Sequence, residues 1–341
     1  MKIKIYVCCT ALLLLLACNN KNAVKKAPPA LTKNTIVNTD TIENEEAPRK
    51  ESINLFTLEP RDSNAVAFTS LSDIYSLSTQ NDTLVLPDIK KMGIKKSEYF
   101  TLEKKYRKRF LSKTNIAETD SVFVYDYSKN KLASFVVKNL NVSAMINAYM
   151  SEQDWPYDYY NYMIGFEINK SDLKGFSDYY NNILVYVGKE NPFAQKQLKP
   201  IVWKKIDTKA YPKKAISKEI TAYLKNTKAG NAYRYETDSL QYFLQDYFAA
   251  QKNIYGRRLL VVDSKTNDII LEKMITESES SSPSLLNYEN PSEPINQWTG
   301  KLFKNKPPVV FGFEYVSFGC PSISVIDKSN EEIFLQCDNR H

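Results

Sequence analysis

Two glutamates hold the same place in two similar stretches: Glu167 in Ile164-Gly-Phe-Glu and Glu314 in Phe311-Gly-Phe-Glu. Paired carboxylates can act as general acid and base, on a glycosidic bond for instance, if they meet roughly 5–10 Å apart. On an alternating strand the same residue is only the polar side: Ile164, Phe166 and Ile168 share one face and Glu167 takes the other. A second candidate is Trp155-Pro-Tyr-Asp-Tyr-Tyr-Asn-Tyr162, where Trp155, Tyr157, Tyr159, Tyr160 and Tyr162 crowd five rings into one short stretch. Left exposed, such a run is a platform for a sugar or a peptide, because Tyr and Trp join contact area to a polar handle. Folded over a sheet edge, the same rings are core. The third is Lys104-Lys-Tyr-Arg-Lys-Arg109. It would either lean on anionic headgroups, at about 1 kcal/mol per residue, or form a solvated helix face. The one histidine is His341, which excludes Ser–His–Asp and Cys–His catalysis and any metal site needing two imidazoles from one chain. There is no Gly-x-Ser-x-Gly, no His-Glu-x-x-His and no Gly-rich phosphate loop among only nine glycines. No metal and no cofactor are expected.

These residues need elements to hold them. A chain of 341 residues allows two domains or one large one, and 43% apolar with 25% charged residues is the balance of a folded soluble body. From Ile53 onward packed elements are legible. Tyr99, Leu102, Tyr106 and Phe110 fall on one helical face. Residues 122–127 and 132–137 read as a β-hairpin around a polar turn, and 163–168 and 183–187 as two further strands. The order returns about 140 residues later. There, Leu240, Phe243, Leu244, Tyr247 and Phe248 make an apolar stripe that predicts a helix, with Asp238 as N-cap and Gln241 three residues on. A hairpin over 259–271, then Phe311-Gly-Phe-Glu314, then a strand at 323–326 complete the set. The pattern predicts an internal repeat. The expected fold is α+β, in two tandem similar units over 53–198 and 199–341, each an antiparallel sheet with a helix packed on one face.

The N-terminus carries an address. Lys2 and Lys4 precede an apolar run centred on Leu12 to Leu16, too short for a membrane span of about 20 residues. A positive start, an apolar stretch and small residues at a cut site are the plan of a secretory signal. Leu15-Leu16-Ala17-Cys18 resembles the lipobox of bacterial lipoproteins. That resemblance implies cleavage before Cys18, fatty acylation of its sulfur and of its new amine, and loss of residues 1–17 with Cys8 and Cys9. Two or more acyl chains hold a protein stably on a membrane where one does not. Asn19 stands where enteric lipoproteins retained at the inner membrane carry Asp, so the outer membrane is the expected home. Residues 19–52 are polar and without an aromatic, and cannot bury enough apolar surface to order themselves; with Cys18 they read as a lipidated, disordered tether. Asp40-Thr41-Ile42 in that tether resembles the Asp-Ser/Thr-apolar acceptor of O-glycosylation in Bacteroidota. Asp82-Thr83-Leu84, Asp120-Ser121-Val122 and Asp238-Ser239-Leu240 share the motif.

Of five cysteines, Cys320 and Cys337 remain for the mature chain. Export places them in an oxidising compartment, where a disulfide is the default. The residues between them read as strand, tight turn, strand, and centring that hairpin on Lys328-Ser329 sets the two sulfurs opposite each other. The net charge of +7, two of it in the signal, is too mild to argue for nucleic acid. The reading that results is a membrane-anchored envelope lipoprotein that binds an envelope or extracellular partner, a protein or a glycan, without catalysis. Two others stand beside it: an immunity-type lipoprotein that neutralises a secreted toxin, and a histidine-free hydrolase acting on glycans through Glu167 and Glu314.

Overall fold

Aromatic and β-branched residues fill the runs between turns, and the chain builds strands from them. The computed structural model describes residues 53–61, 65–75, 77, 82–212, 217–249, 254–287 and 295–338. The signal segment, Cys18, the tether with Asp40-Thr41-Ile42, and His341 lie outside them. Three α-helices stand among the described residues: α1 (Ile94–Glu98), α2 (Lys104–Lys113) and α3 (Lys218–Leu224). No helix among these residues is long and apolar enough to cross a membrane. The first strands are β1 (Leu55–Phe56), β2 (Glu59–Arg61), β3 (Val66–Ser70), β4 (Tyr99–Thr101), β5 (Ser121–Asp126), β6 (Lys131–Val136) and β7 (Val142–Ile146). Next come β8 (Tyr162–Asn169), β9 (Ile183–Gly188), β10 (Leu198–Pro200), β11 (Lys204–Ile206), β12 (Lys228–Glu236), β13 (Leu240–Phe248) and β14 (Ile254–Asp263). The last are β15 (Ile269–Thr276), β16 (Ser281–Pro283), β17 (Trp298–Gly300), β18 (Val309–Phe311), β19 (Glu314–Val316), β20 (Ser322–Val325) and β21 (Glu332–Gln336).

Nine strands form one sheet in the order β10-β17-β18-β20-β21-β1-β9-β5-β6, curled into a half-barrel. The hinge of that sheet is β1. Leu55 and Phe56 pair in parallel with Leu335 and Gln336 of β21, and Phe56 pairs antiparallel with Val185 of β9. Two further sheets of five strands, β2-β3-β8-β7-β4 and β11-β12-β13-β14-β15, and the ribbon β16-β19 complete the body. Alternation along β5 and β9 feeds two cores. Val122, Val124, Ile183 and Val185 pack with Ile164 and Phe166 of β8 and with Tyr106, Phe110 and Leu111 of α2. Phe123, Tyr125 and Leu184 face the other way, into a core with Trp298, Phe303, Val309 and Ile323. A third core joins Tyr242, Leu244, Leu259 and Val261 of β13 and β14 to Val310 and Phe313. Each fully buried side chain of this kind contributes roughly 1.5–3 kcal/mol.

The α+β pair of tandem units is therefore corrected: the body is mostly β, and its sheets are not each covered by a helix. Strands from both sides of Leu198 share the nine-stranded sheet. The predicted helix at Leu240 is strand β13, paired with β12 and β14. Its apolar stripe fits a strand buried on both faces equally well: Tyr242 and Leu244 enter one core and Phe243 another. Asp238 and Ser239 are the hairpin turn, where the Thr237 N–H donates to the Leu240 carbonyl (2.8 Å). The helix expected from Tyr99 onward begins only at Lys104, because Tyr99 belongs to β4. It ends at Asn115 (φ +56°), with the Ile116 N–H returning to the Leu111 carbonyl (2.9 Å), a left-handed helix stop.

The hairpins fare better. β5–β6 and β14–β15 form as expected. Cys320 and Cys337 are bonded, with Cα atoms 5.6 Å apart. The β20–β21 register is one residue off the expected one: Ser322 faces Phe334 and Ile323 faces Ile333. The disulfide forms just beyond the ladder, where Gly319 (φ +103°) has already turned the chain out of strand geometry. Past it, the Asp338 N–H donates to Asp73 Oδ2 (2.8 Å) and its carboxylate accepts from Ser70, which ties the C-terminal segment to β3.

Candidate functional site

Phe311-Gly-Phe-Glu314 is where the site begins. Gly312 sits at φ +86°, and a Cβ there would lie 1.8 Å from the Asn296 carbonyl oxygen. Only glycine allows that approach, and it breaks the chain between β18 of the large sheet and β19 of the ribbon. Beside the break lies a cavity of about 190 Å³, reached by residues of β9, β14, β15 and β18 to β21. Its buried lining is mostly apolar, with Ile183, Leu184, Leu259, Val310 and Ile323, and Ser324 as its buried hydroxyl. Its rim is polar, with Asn181, Asn296 and Glu314 at least partly exposed. Tyr127 closes one side, its ring edge-on to Trp298 and Phe311 at 5.2 Å each.

The charges of this site are unequal in commitment. Lys273 donates to both carboxylate oxygens of Glu332 (3.1 and 3.3 Å) and lies 3.3 Å from Ser324 Oγ. Ser322 and Ser324 donate to the same carboxylate at 2.6 and 2.8 Å. The lysine is thus matched in charge and fixed in place. The Glu314 carboxylate has no hydrogen bond or ion pair among the described residues. Burial, with Asp126 adding to it, raises the Tyr127 phenol well above its ordinary range, so it stays neutral. With Glu332 behind Lys273, the Glu314 carboxylate is the charge left uncompensated among the described residues. A wider groove between α3 and β15, lined by Tyr223 and Met274, is more open by comparison.

Glu314 lines the cavity and Glu167 does not. Glu167 lies on β8 in a different sheet, where Tyr99, Ser143 (2.6 Å) and Asn141 (2.9 Å) all donate to its carboxylate. Arg61 stacks on that Tyr99 ring at 4.1 Å. Burial, then Glu167, raise the Tyr99 phenol. The five rings of the aromatic run are divided rather than assembled. Tyr157 and Tyr162 are buried, and Trp155 and Tyr159 pack partly buried against the same core. Tyr160 is 61% exposed. Tyr162 donates to the Ser97 carbonyl (2.7 Å). The interspersed polar residues cap a short 3₁₀ turn: Asp158 accepts from the Tyr160 N–H and Asn161 from the Asp158 N–H. In the basic run, Arg107 binds Glu118 and the Val137 and Leu140 carbonyls, and Arg109 binds Asp82 (2.6 Å). Lys104, Lys105 and Lys108 are exposed on α2.

Sequence reasoning reached Glu314 but missed Tyr127, Lys273, Asn181 and Asn296, which come from four separate segments. The one local signal was the glycine inside an apolar run, which marks a bulge or a close backbone approach. No protein-family model, no curated protein and no solved structure matches this chain.

Proposed function

We propose that this chain is a lipoprotein of the bacterial cell envelope, held by an acylated Cys18, whose β-rich body binds an envelope or extracellular partner at the cavity beside Gly312 without turning it over. The observation that carries the binding half is the cavity itself: an apolar depth, a polar rim, and one carboxylate, Glu314, with nothing to do for the fold among the described residues. The titratable groups nearby are set to hold. Lys273 is tied to Glu332, and Tyr127 is kept neutral by burial. A hydrolytic reading would enlist Glu167, whose carboxylate is already filled by three donors. The Cys320–Cys337 disulfide supports export, since such bonds are rare in reducing cytosol. The anchor rests on Leu15-Leu16-Ala17-Cys18.

Two measurements test the two halves. Radiolabelled palmitate should enter the full chain and leave it in the membrane fraction, and Cys18→Ala should abolish both; an unmodified thiol at Cys18 by intact mass removes the anchor. A ligand-observed NMR screen of small apolar compounds of all charge types should give hits that Val316→Trp, a plug at the rim, removes. A screen with no hits takes the cavity out of the reading.

A further inference from the structure

We infer that the cavity beside Gly312 receives a compact organic cation: a single ring or branched alkyl group that fills the depth, carrying an ammonium that meets Glu314. The inference rests on the reading of this cavity as the binding element and names its ligand class.

Size sets the apolar part. An apolar protein cavity of about 150 Å³ stays dry and takes up benzene. At about 190 Å³ this one has room for one ring or its branched equivalent, with little to spare. The side chains of Leu259, Val310 and Ile323 offer no hydrogen bond, and the buried Ser324 hydroxyl in the same lining already donates to Glu332, so a polar group placed there would lose its water without replacement.

Charge sets the other part. Lys273 is the cation in the lining, and both oxygens of Glu332 already hold it. An anion entering would meet Glu314 uncompensated and would compete with a fixed carboxylate for the lysine. A cation meets the opposite situation. Glu314 is partly exposed and its carboxylate has no partner among the described residues, so pairing with it breaks no existing contact. Asn296 donates its side-chain N–H to the Leu285 carbonyl (3.1 Å), which leaves its amide oxygen as a second acceptor on the rim. Half-buried walls around the pair strengthen the attraction over that of an exposed ion pair.

The chemistry has two sources, a free small amine or the N-terminal residue of a peptide, and the test separates them. The full-length chain in detergent micelles is titrated calorimetrically, empty micelles subtracted, with phenethylamine, benzyl alcohol, phenylacetate and the tripeptide Phe-Gly-Gly amide. Phenethylamine should bind about tenfold or more tighter than phenylacetate. Glu314→Gln, isosteric at a partly exposed site, should reduce phenethylamine to the level of benzyl alcohol, and Val316→Trp should abolish all binding. Added salt should weaken the amine and not the alcohol. Tighter binding of phenethylamine than of the tripeptide assigns the site to free amines, and the reverse assigns it to peptide N-termini. Phenylacetate or benzyl alcohol binding as tightly as the amine, or an amine affinity indifferent to Glu314→Gln, overturns the cation while leaving a binding cavity. Silence from every probe overturns the cavity as a binding element altogether.

Discussion

Arg257 and Arg258 are neighbours on β14 and are both buried, which elementary electrostatics forbids unless each is matched. Alternation sends them to opposite faces, and each finds a carboxylate on an adjacent strand. Arg257 pairs across the register with Asp246 of β13 (2.9 Å) and also donates to the Ser284 carbonyl. The second oxygen of Asp246 accepts from Tyr233 (2.9 Å). Arg258 reaches Glu272 of β15 (2.8 Å) and lies 5.6 Å over the Tyr211 ring. A buried pair is weak evidence of net stabilisation, but cutting one partner strands the other charge. Asp246→Asn should therefore cost about 3–5 kcal/mol in urea unfolding. A loss under about 1 kcal/mol would mean that water reaches Arg257 and that the pair is not dry.

Turns and hairpins were legible because their causes are local. The polar Ser128-Lys-Asn-Lys131 segment between two apolar runs predicts β5 and β6, and the structure pairs them residue by residue. The β13 strand was misread because helical spacing and two-faced burial mark the same residues apolar. Sheet order was beyond reach. A two-residue strand, β1, joins β9 to β21 across most of the chain, and no periodicity records that choice. The cavity shares this fate: Glu314 stood in a visible motif, while Tyr127 and Lys273 reach it only after the strands assemble. Gly312 is the local residue on which that assembly turns. Gly312→Ala adds a Cβ against the Asn296 carbonyl and keeps a left-handed backbone that alanine resists. It should cost at least about 2 kcal/mol by chemical denaturation, and it should weaken any cavity ligand at temperatures where the variant is still folded. An alanine variant as stable as the parent would place the β18–β19 break elsewhere.

Tyrosine is this protein's most abundant aromatic residue, 23 in all, and buried or partly buried ones reach every core of the described residues. Tyr125 sits on the nine-stranded sheet with Tyr127 just past the end of β5, Tyr99 and Tyr162 lie on the sheet of β4 and β8, and Tyr211 and Tyr242 lie against the sheet of β13. Burial comes first among the causes that raise these phenols, pushing Tyr242 up to about 12 and the others above their ordinary 10.0 as well. An unfolded chain would ionise them near 10. Because the folded values are raised, the stability they contribute is complete below pH 10 and is lost as the pH climbs through 10 toward 12 and beyond. The unfolded state alone gains from releasing those protons. Raising the pH should thus unfold the body rather than titrate it, and phenolate absorbance at 295 nm from the buried rings should appear in step with the loss of far-ultraviolet dichroism. The described residues form one compact unit, and raised tyrosines occupy its separate cores, so the two signals should share one transition. A phenolate step that precedes the loss of strand signal would show that water reaches these rings in the folded state. Two dichroism steps would show that the sheets joined by β1 come apart independently.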